Sequence, residues 1–222
     1  MAHVKFREVA RKLAHGFVIL FTVFAAATAA RAQDDPPDIV VLGDSLVAGF
    51  QLGQGEGFPE QLQAALDRNG IAAKIIGAGV SGDTSSGGLS RLEWSVPDGT
   101  DAVIVELGAN DALRGLPPET TRENIKTIIE RLQERDIKVM LAGMMAPPNM
   151  GEDYAKAFNP IYKELAEEYG TPFYPFFLDG VAAEPNLNLE DGIHPNPVGV
   201  KVIVSKILPH VELLIEELRP SP

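Results

Sequence analysis

Three residue types that together perform nucleophilic chemistry stand at separate loop positions of this chain. Gly43-Asp44-Ser45-Leu46 follows directly on the apolar run Ile39-Val40-Val41-Leu42. A serine at a strand-to-loop turn can project its hydroxyl from the top of a sheet, and the glycine before it permits a tight turn. The stretch is not Gly-x-Ser-x-Gly, so an ordinary nucleophile elbow is not the match. A polar turn that caps a helix accounts for Asp44 and Ser45 equally well. The chain has four histidines. His3 and His15 precede residue 33, and His210 falls in a closing helical pattern, where it reads as a surface residue. His194, in Asp191-Gly192-Ile193-His194-Pro195-Asn196, is the remaining candidate base. Asp191 lies three residues earlier, so a turn can bring its carboxylate to the imidazole, fixing the tautomer and stabilising the imidazolium. A metal pair is the other use of Asp-x-x-His; with no cysteine and no second histidine nearby, no metal site is expected.

Two further loops could assist. Gly79-Val80-Ser81-Gly82-Asp83-Thr84 offers a backbone N–H close to a ligand, or simply a flexible turn. Gly108-Ala109-Asn110-Asp111 offers a side-chain amide that can donate to a developing oxyanion, or again a turn, with Asp111 as its cap. Each signal is weak alone. Their joint placement at strand and loop ends is the argument.

The elements that must position them alternate in a regular way. Strands are expected at residues 39–42, 74–78, 102–107, 139–142 and 173–175 from continuous apolar runs. Helices are expected at 59–69, with Gly70 as the terminating glycine, and at 85–94 and 118–135. Further helices are expected at 153–169, interrupted at Pro160, and at 197–218, disturbed by Pro209. Strand–helix alternation at this spacing means βαβ units and a parallel sheet covered on both faces. In such a sheet the site lies at the C-terminal ends of the strands, and the candidate residues fall there.

The N-terminus has a different character. Lys5, Arg7, Arg11 and Lys12 precede residues 13–30, which contain no charged side chain, and Ala30-Arg31-Ala32 follows. A basic region, an apolar region and an A-x-A site make an export signal over residues 1–32, with an uncleaved membrane anchor as the alternative. Residues 33–222 are then a single domain without a stable membrane anchor, periplasmic or secreted. The whole chain of 222 residues carries a formal −12; without residues 1–32 it keeps 14 basic and 30 acidic residues, a formal −16. That balance excludes nucleic acid, which requires a basic footprint. An apolar content of 45% excludes disorder, and the absence of cysteine excludes disulfides and thiolate chemistry. Glu167 and Glu168 are adjacent on a helix and point apart, so they read as a solvated face rather than paired catalytic acids.

The blocks resemble the SGNH hydrolases, also called the GDSL lipase/esterase family. Gly43-Asp44-Ser45-Leu46, Gly82, Gly108-Ala109-Asn110-Asp111 and Asp191-x-x-His194 carry the resemblance in order and spacing, from Ile39 to about Leu218. The runs from Glu106 to Pro117 and Ala146-Pro147-Pro148-Asn149 are similar to a narrower branch, bacterial periplasmic arylesterases of the acyl-CoA thioesterase I and lysophospholipase L1 type. The resemblance implies a flavodoxin-like three-layer α/β/α sandwich with a five-stranded parallel sheet, and hydrolysis of carboxylic esters without metal or cofactor. It implies Ser45 as nucleophile, His194 as base and Asp191 as its orienter. The backbone N–H groups of Ser45 and Gly82, with the side chain of Asn110, would form the oxyanion hole. One departure is Gly77, where relatives often have Asn. The expected partner is a small-molecule acyl ester, met by a monomer. Met145, Pro147, Pro148 and Met150, after the fourth strand, are the expected acyl-binding wall, since methionine suits an adaptable apolar groove. Phe173, Tyr174, Phe176, Phe177 and Leu178 read as that wall or as plain core. Aryl and short-to-medium acyl esters are favoured, with thioesters and lysophospholipids possible. A carbohydrate O-acetylesterase and a non-catalytic binding module are the alternatives.

Overall fold

β1 (Asp38–Gly43) forms from a run that is apolar at every inner position, and Ile39, Val40, Val41 and Leu42 are each 0% exposed. Burial of both faces is what a central parallel strand requires. The computed structural model describes residues 35–219; the expected export signal and the start of the expected domain at residue 33 lie outside them. β1 is flanked by β2 (Lys74–Gly79) and β3 (Ala102–Glu106), followed outward by β4 (Lys138–Ala142) and β5 (Phe173–Tyr174). The five strands are parallel, in the order β2-β1-β3-β4-β5. Connections leave β1 and β3 in opposite directions, so the gap between them is the topological switch point where α/β sheets bind ligands.

Helices cover both faces and complete the three layers. α2 (Phe58–Arg68) buries Leu62, Ala65 and Leu66, and packs with the closing helix α9 (Pro197–Leu218). Across the sheet, α6 (Pro118–Gln133) packs against α3 (Ser85–Ser90), α7 (Glu152–Phe158) and α8 (Ile161–Tyr169). Ile125, Ile128, Ile129 and Leu132 of α6 are each 0% exposed, one apolar face at helical spacing. Residues from Pro37 onward pack as one unit. Among the described residues, no helix is long and apolar enough to cross a membrane.

Several sequence expectations change in detail. The helix expected at 85–94 is two short ones, α3 and α4 (Leu92–Ser95), parted at Arg91. The guanidinium of Arg91 reaches the sheet instead, donating to the carbonyls of Gly43 and Ala78 at 2.8 and 2.9 Å. The helix expected at 153–169 is likewise split into α7 and α8 at Pro160. In contrast, α9 runs unbroken through Pro209, which is solvent-exposed and flanked by buried Ile207 and Val211. Apolar packing on both sides of the proline holds the axis together. His210 is not a plain surface residue: it is half-buried, its ring edge-on to Tyr174 at 5.1 Å, and burial lowers its pKa. Gly77 lies within β2, where a Cβ would come within 2.9 Å of Pro59 Cγ, so α2 packs too close for a side chain there.

Candidate active site

Ser45 opens the short helix α1 (Ser45–Ala48) at the end of β1, and Asp44 caps it, Oδ1 accepting from the Leu46 N–H at 3.0 Å. Two close approaches make this turn specific to glycine on either side. A Cβ on Gly43 would meet Val47 and Glu106, and one on Gly79 would collide with the Ala48 backbone. Ser45 is thereby held at the sheet edge with 8% of its surface open.

His194 arrives from a loop built by its own carboxylate neighbour. Asp191 Oδ1 accepts from the backbone N–H groups of Ile193 and His194 at 2.9 and 3.0 Å, an Asx turn that curls the chain back on itself. The other oxygen, Oδ2, lies 2.6 Å from His194 Nδ1. On the far side of the ring, Nε2 lies 2.9 Å from Ser45 Oγ. Burial pushes the Asp191 pKa up, but the hydrogen bonds from the two backbone N–H groups and from the imidazole outweigh it and bring it to about 2. Asn196 anchors the loop below, capping α9 by accepting from the Val198 and Gly199 N–H groups. Phe50 covers the imidazole, ring centroids 4.4 Å apart and tilted by 36°.

Asn110 sits in α5 (Ala109–Leu113), which begins at the end of β3. Gly108 makes that entry with φ 112°, and a Cβ there would strike the Tyr162 hydroxyl. Asn110 Nδ2 donates to Asp44 Oδ2 at 2.9 Å, joining the first and third loops directly. Gly82 turns with φ 86°, and its carbonyl accepts from Arg114 Nη2 at 2.7 Å. Among the described residues, neither the Ser45 N–H nor the Gly82 N–H has an acceptor. Asp111 does not cap its own turn. Its carboxylate is 0% exposed and accepts from the backbone N–H and hydroxyl of Ser85 and from Thr121, tying α3, α5 and α6 together behind the loops.

A cavity of about 510 Å³ opens beside Ser45 and His194. Its walls are mostly apolar: Met144, Met145, Pro147 and Pro148 on one side, Phe176, Leu178, Ala182 and Ala183 on the other. Leu113, Met145 and Ile193 frame it while remaining 45%, 45% and 46% exposed. The expected wall residue Met150 is not part of this lining. It belongs to the 3₁₀ turn Pro148–Met150, where its methyl is set toward Gly115. Tyr174 and Phe177 are core, whereas Phe176 and Leu178 are wall. Among the described residues, no group of three His, Asp or Glu side chains is placed to hold a metal ion.

The sequence reading did not single out Glu106, the last residue of β3, which is 0% exposed. Its Oε2 faces the Asp44 N–H at 3.4 Å and its Oε1 has no partner. Burial and the charge of Asp44 push its pKa well above the ordinary value. A charged residue ending an otherwise apolar strand was the available signal. Arg91 was missed as well; besides the two carbonyls, it binds Asp83 at 2.6 Å.

Residues 41–202 match the model of the GDSL-like lipase/acylhydrolase family. The chain is 37% identical over 181 residues to an arylesterase of Vibrio mimicus, covering 81% of this chain and 88% of that one. It is 35% identical over 181 residues to thioesterase 1/protease 1/lysophospholipase L1 of Escherichia coli K12, covering 81% and 82%. The crystal structure of AlinE4, an SGNH-hydrolase family esterase, superposes with a TM-score of 0.69 at 43% identity, covering 86% of this chain and all of that one. The chain belongs to this family of acyl-ester hydrolases.

Proposed function

We propose that the chain is an exported serine esterase in which Ser45, His194 and Asp191 act as nucleophile, base and orienting carboxylate. The observation that carries this reading is the continuous line Asp191 Oδ2–His194–Ser45 Oγ, at 2.6 and 2.9 Å, opening onto an apolar cavity. With its proton on Nδ1 donated to Asp191, His194 presents a lone pair at Nε2 to the serine hydroxyl. Nε2 takes that proton as Oγ attacks the acyl carbonyl. The negative charge then falls on the carbonyl oxygen. The unused N–H groups of Ser45 and Gly82 and the amide of Asn110 are its donors. Collapse breaks the bond to the leaving oxygen, which leaves with the proton from Nε2. Water then attacks the acyl-serine, gives its proton to Nε2, and releases the acid with regeneration of Ser45.

The mainly apolar walls favour aryl and short-to-medium acyl esters over the acetylated sugars of a carbohydrate esterase, whose groove would need polar partners. The relatives named arylesterase and thioesterase/lysophospholipase support the same substrate range. Residues 1–32 serve as the export signal and residues 33–222 as the single catalytic domain. Ser45→Ala should abolish turnover of p-nitrophenyl butyrate in a folded protein, and a fluorophosphonate should label the wild type at Ser45. Undiminished turnover of the variant would sink the assignment. A chain-length series of p-nitrophenyl esters, beside palmitoyl-CoA and a lysophospholipid, ranks the substrates.

A further inference from the structure

Asn110 can act as a donor only if its amide is aimed. The nitrogen carries two protons, and the terminal torsion of an asparagine side chain is soft. In this structure one proton is already committed, to Asp44 Oδ2 at 2.9 Å. The amide is planar, so fixing one N–H fixes the direction of the other. Asp44 itself cannot swing away. It is 0% exposed, and its second oxygen is held by the Leu46 N–H at 3.0 Å. One carboxylate therefore both starts the helix that bears Ser45 and holds the amide that follows β3.

Resting on the reading of Asn110 as an oxyanion donor, we propose that Asp44 is the positioning residue of the oxyanion site: its carboxylate takes one amide proton of Asn110 and so directs the other at the reacting carbonyl. The surroundings suit that role. Glu106 lies directly behind Asp44, without a partner on Oε1. Two buried carboxylates side by side cannot both ionise readily. Glu106, with burial and Asp44 against its charge, keeps its proton. Asp44, with two N–H donors, carries the single negative charge once pH exceeds about 6, the value to which burial raises it. The other charged groups near it are His194, which favours that charge, and Asp83, which opposes it. A charged acceptor makes the stronger hydrogen bond to the amide. Capping a helix of four residues would by itself require only an oxygen at Oδ1.

The test is a double-mutant cycle on p-nitrophenyl butyrate hydrolysis. Asn110→Ala should lower kcat by roughly 10²- to 10³-fold, the usual cost of one oxyanion donor. Asp44→Asn keeps a capping oxygen but turns an NH₂ toward that of Asn110. It should lower kcat at least about tenfold with KM nearly unchanged, and cost less than about twofold in the Asn110→Ala background. Equal losses in both backgrounds, or an Asp44→Asn enzyme as fast as the wild type, overturn the proposal. So does an Asn110→Ala enzyme of full activity. Ser45→Ala measured alongside separates failure of the serine-esterase reading from failure of this one. Should Asp44→Asn not fold, Asp44→Ser repeats the cycle, since serine caps a helix but is too short to reach Asn110. Wild-type protein gives an independent readout by NMR. One Asn110 side-chain proton should be shifted downfield and protected from exchange; two rapidly exchanging protons overturn the proposal.

Discussion

Carboxyl groups decide the behaviour of this site residue by residue, and three of them occupy three different environments. Asp191 is held near 2 by hydrogen bonds, so it stays ionised through any working pH. The fall of activity on acidification therefore arises elsewhere, from protonation of the His194 base and of Asp44, whose pKa burial lifts to about 6. Asp191→Asn should leave the fold intact and lower kcat by roughly 10³- to 10⁴-fold, because the imidazole loses its orienting acceptor while the nucleophile remains; single-turnover kinetics on a p-nitrophenyl ester measure it. Glu106 is the opposite case. Its folded pKa lies well above 4.5, so between 4.5 and that higher value the folded state holds a proton that the unfolded state has lost. Stability from this group is complete below 4.5 and declines as pH rises. Glu106→Gln, neutral at every pH, should match the wild type in Tm under acid conditions and exceed it increasingly toward alkaline pH. A Tm difference that is flat with pH would contradict a buried, proton-retaining Glu106.

Among the elements, the short loops after β1, β2 and β3 carry the chemistry, and buried polar side chains lash them to one another. Arg91 grips the ends of β1 and β2 through Gly43 and Ala78, and Asp111 ties the helices that follow β2 and β3. Such ties replace the repetitive hydrogen bonding that loops lack. Lysine cannot reproduce the fork of Arg91, so Arg91→Lys should cost about 2–4 kcal/mol in urea unfolding. The closing helix offers the reverse experiment. Pro209 is exposed within α9 and supplies no N–H to the preceding turn. Pro209→Ala should raise Tm by restoring that bond, with about 3 kcal/mol as the upper limit of the gain. An unchanged or lower Tm would mean that α9 has adapted fully to the proline.

For the molecule as a whole, charge and cavity pull substrates in the same direction. The chain is acidic, with a formal −12 and a pI near 4.8, while the cavity beside Ser45 is mostly apolar. Neutral esters meet no long-range barrier, whereas anionic thioesters approach against the field. Raising salt from about 10 mM to about 0.5 M shortens the Debye length from roughly 30 Å to a few ångströms. It should increase kcat/KM for an acyl-CoA several-fold while leaving that for p-nitrophenyl butyrate within about twofold. Equal salt responses would show that the field does not reach the mouth of the site.

The local pattern of residues was enough to determine the parallel sheet, the five strands and the positions of Ser45, Asn110 and the Asp191–His194 pair. Continuous apolar runs mark buried strands, and glycine and asparagine mark the turns after them, so both signals are short-range. The Asx turn at Asp191 is equally local, three residues wide, and could be read from spacing alone. What depends on partners far apart in the chain needed the fold. Asp44 and Asn110 are 66 positions apart, and Ser45 and His194 149 apart. Whether a cap residue also directs an amide, whether Met150 joins the wall, and whether Glu106 keeps its proton are each settled by neighbours that only tertiary packing brings within a few ångströms. Local propensity determines which elements form; burial against distant chain determines what their charged residues can do.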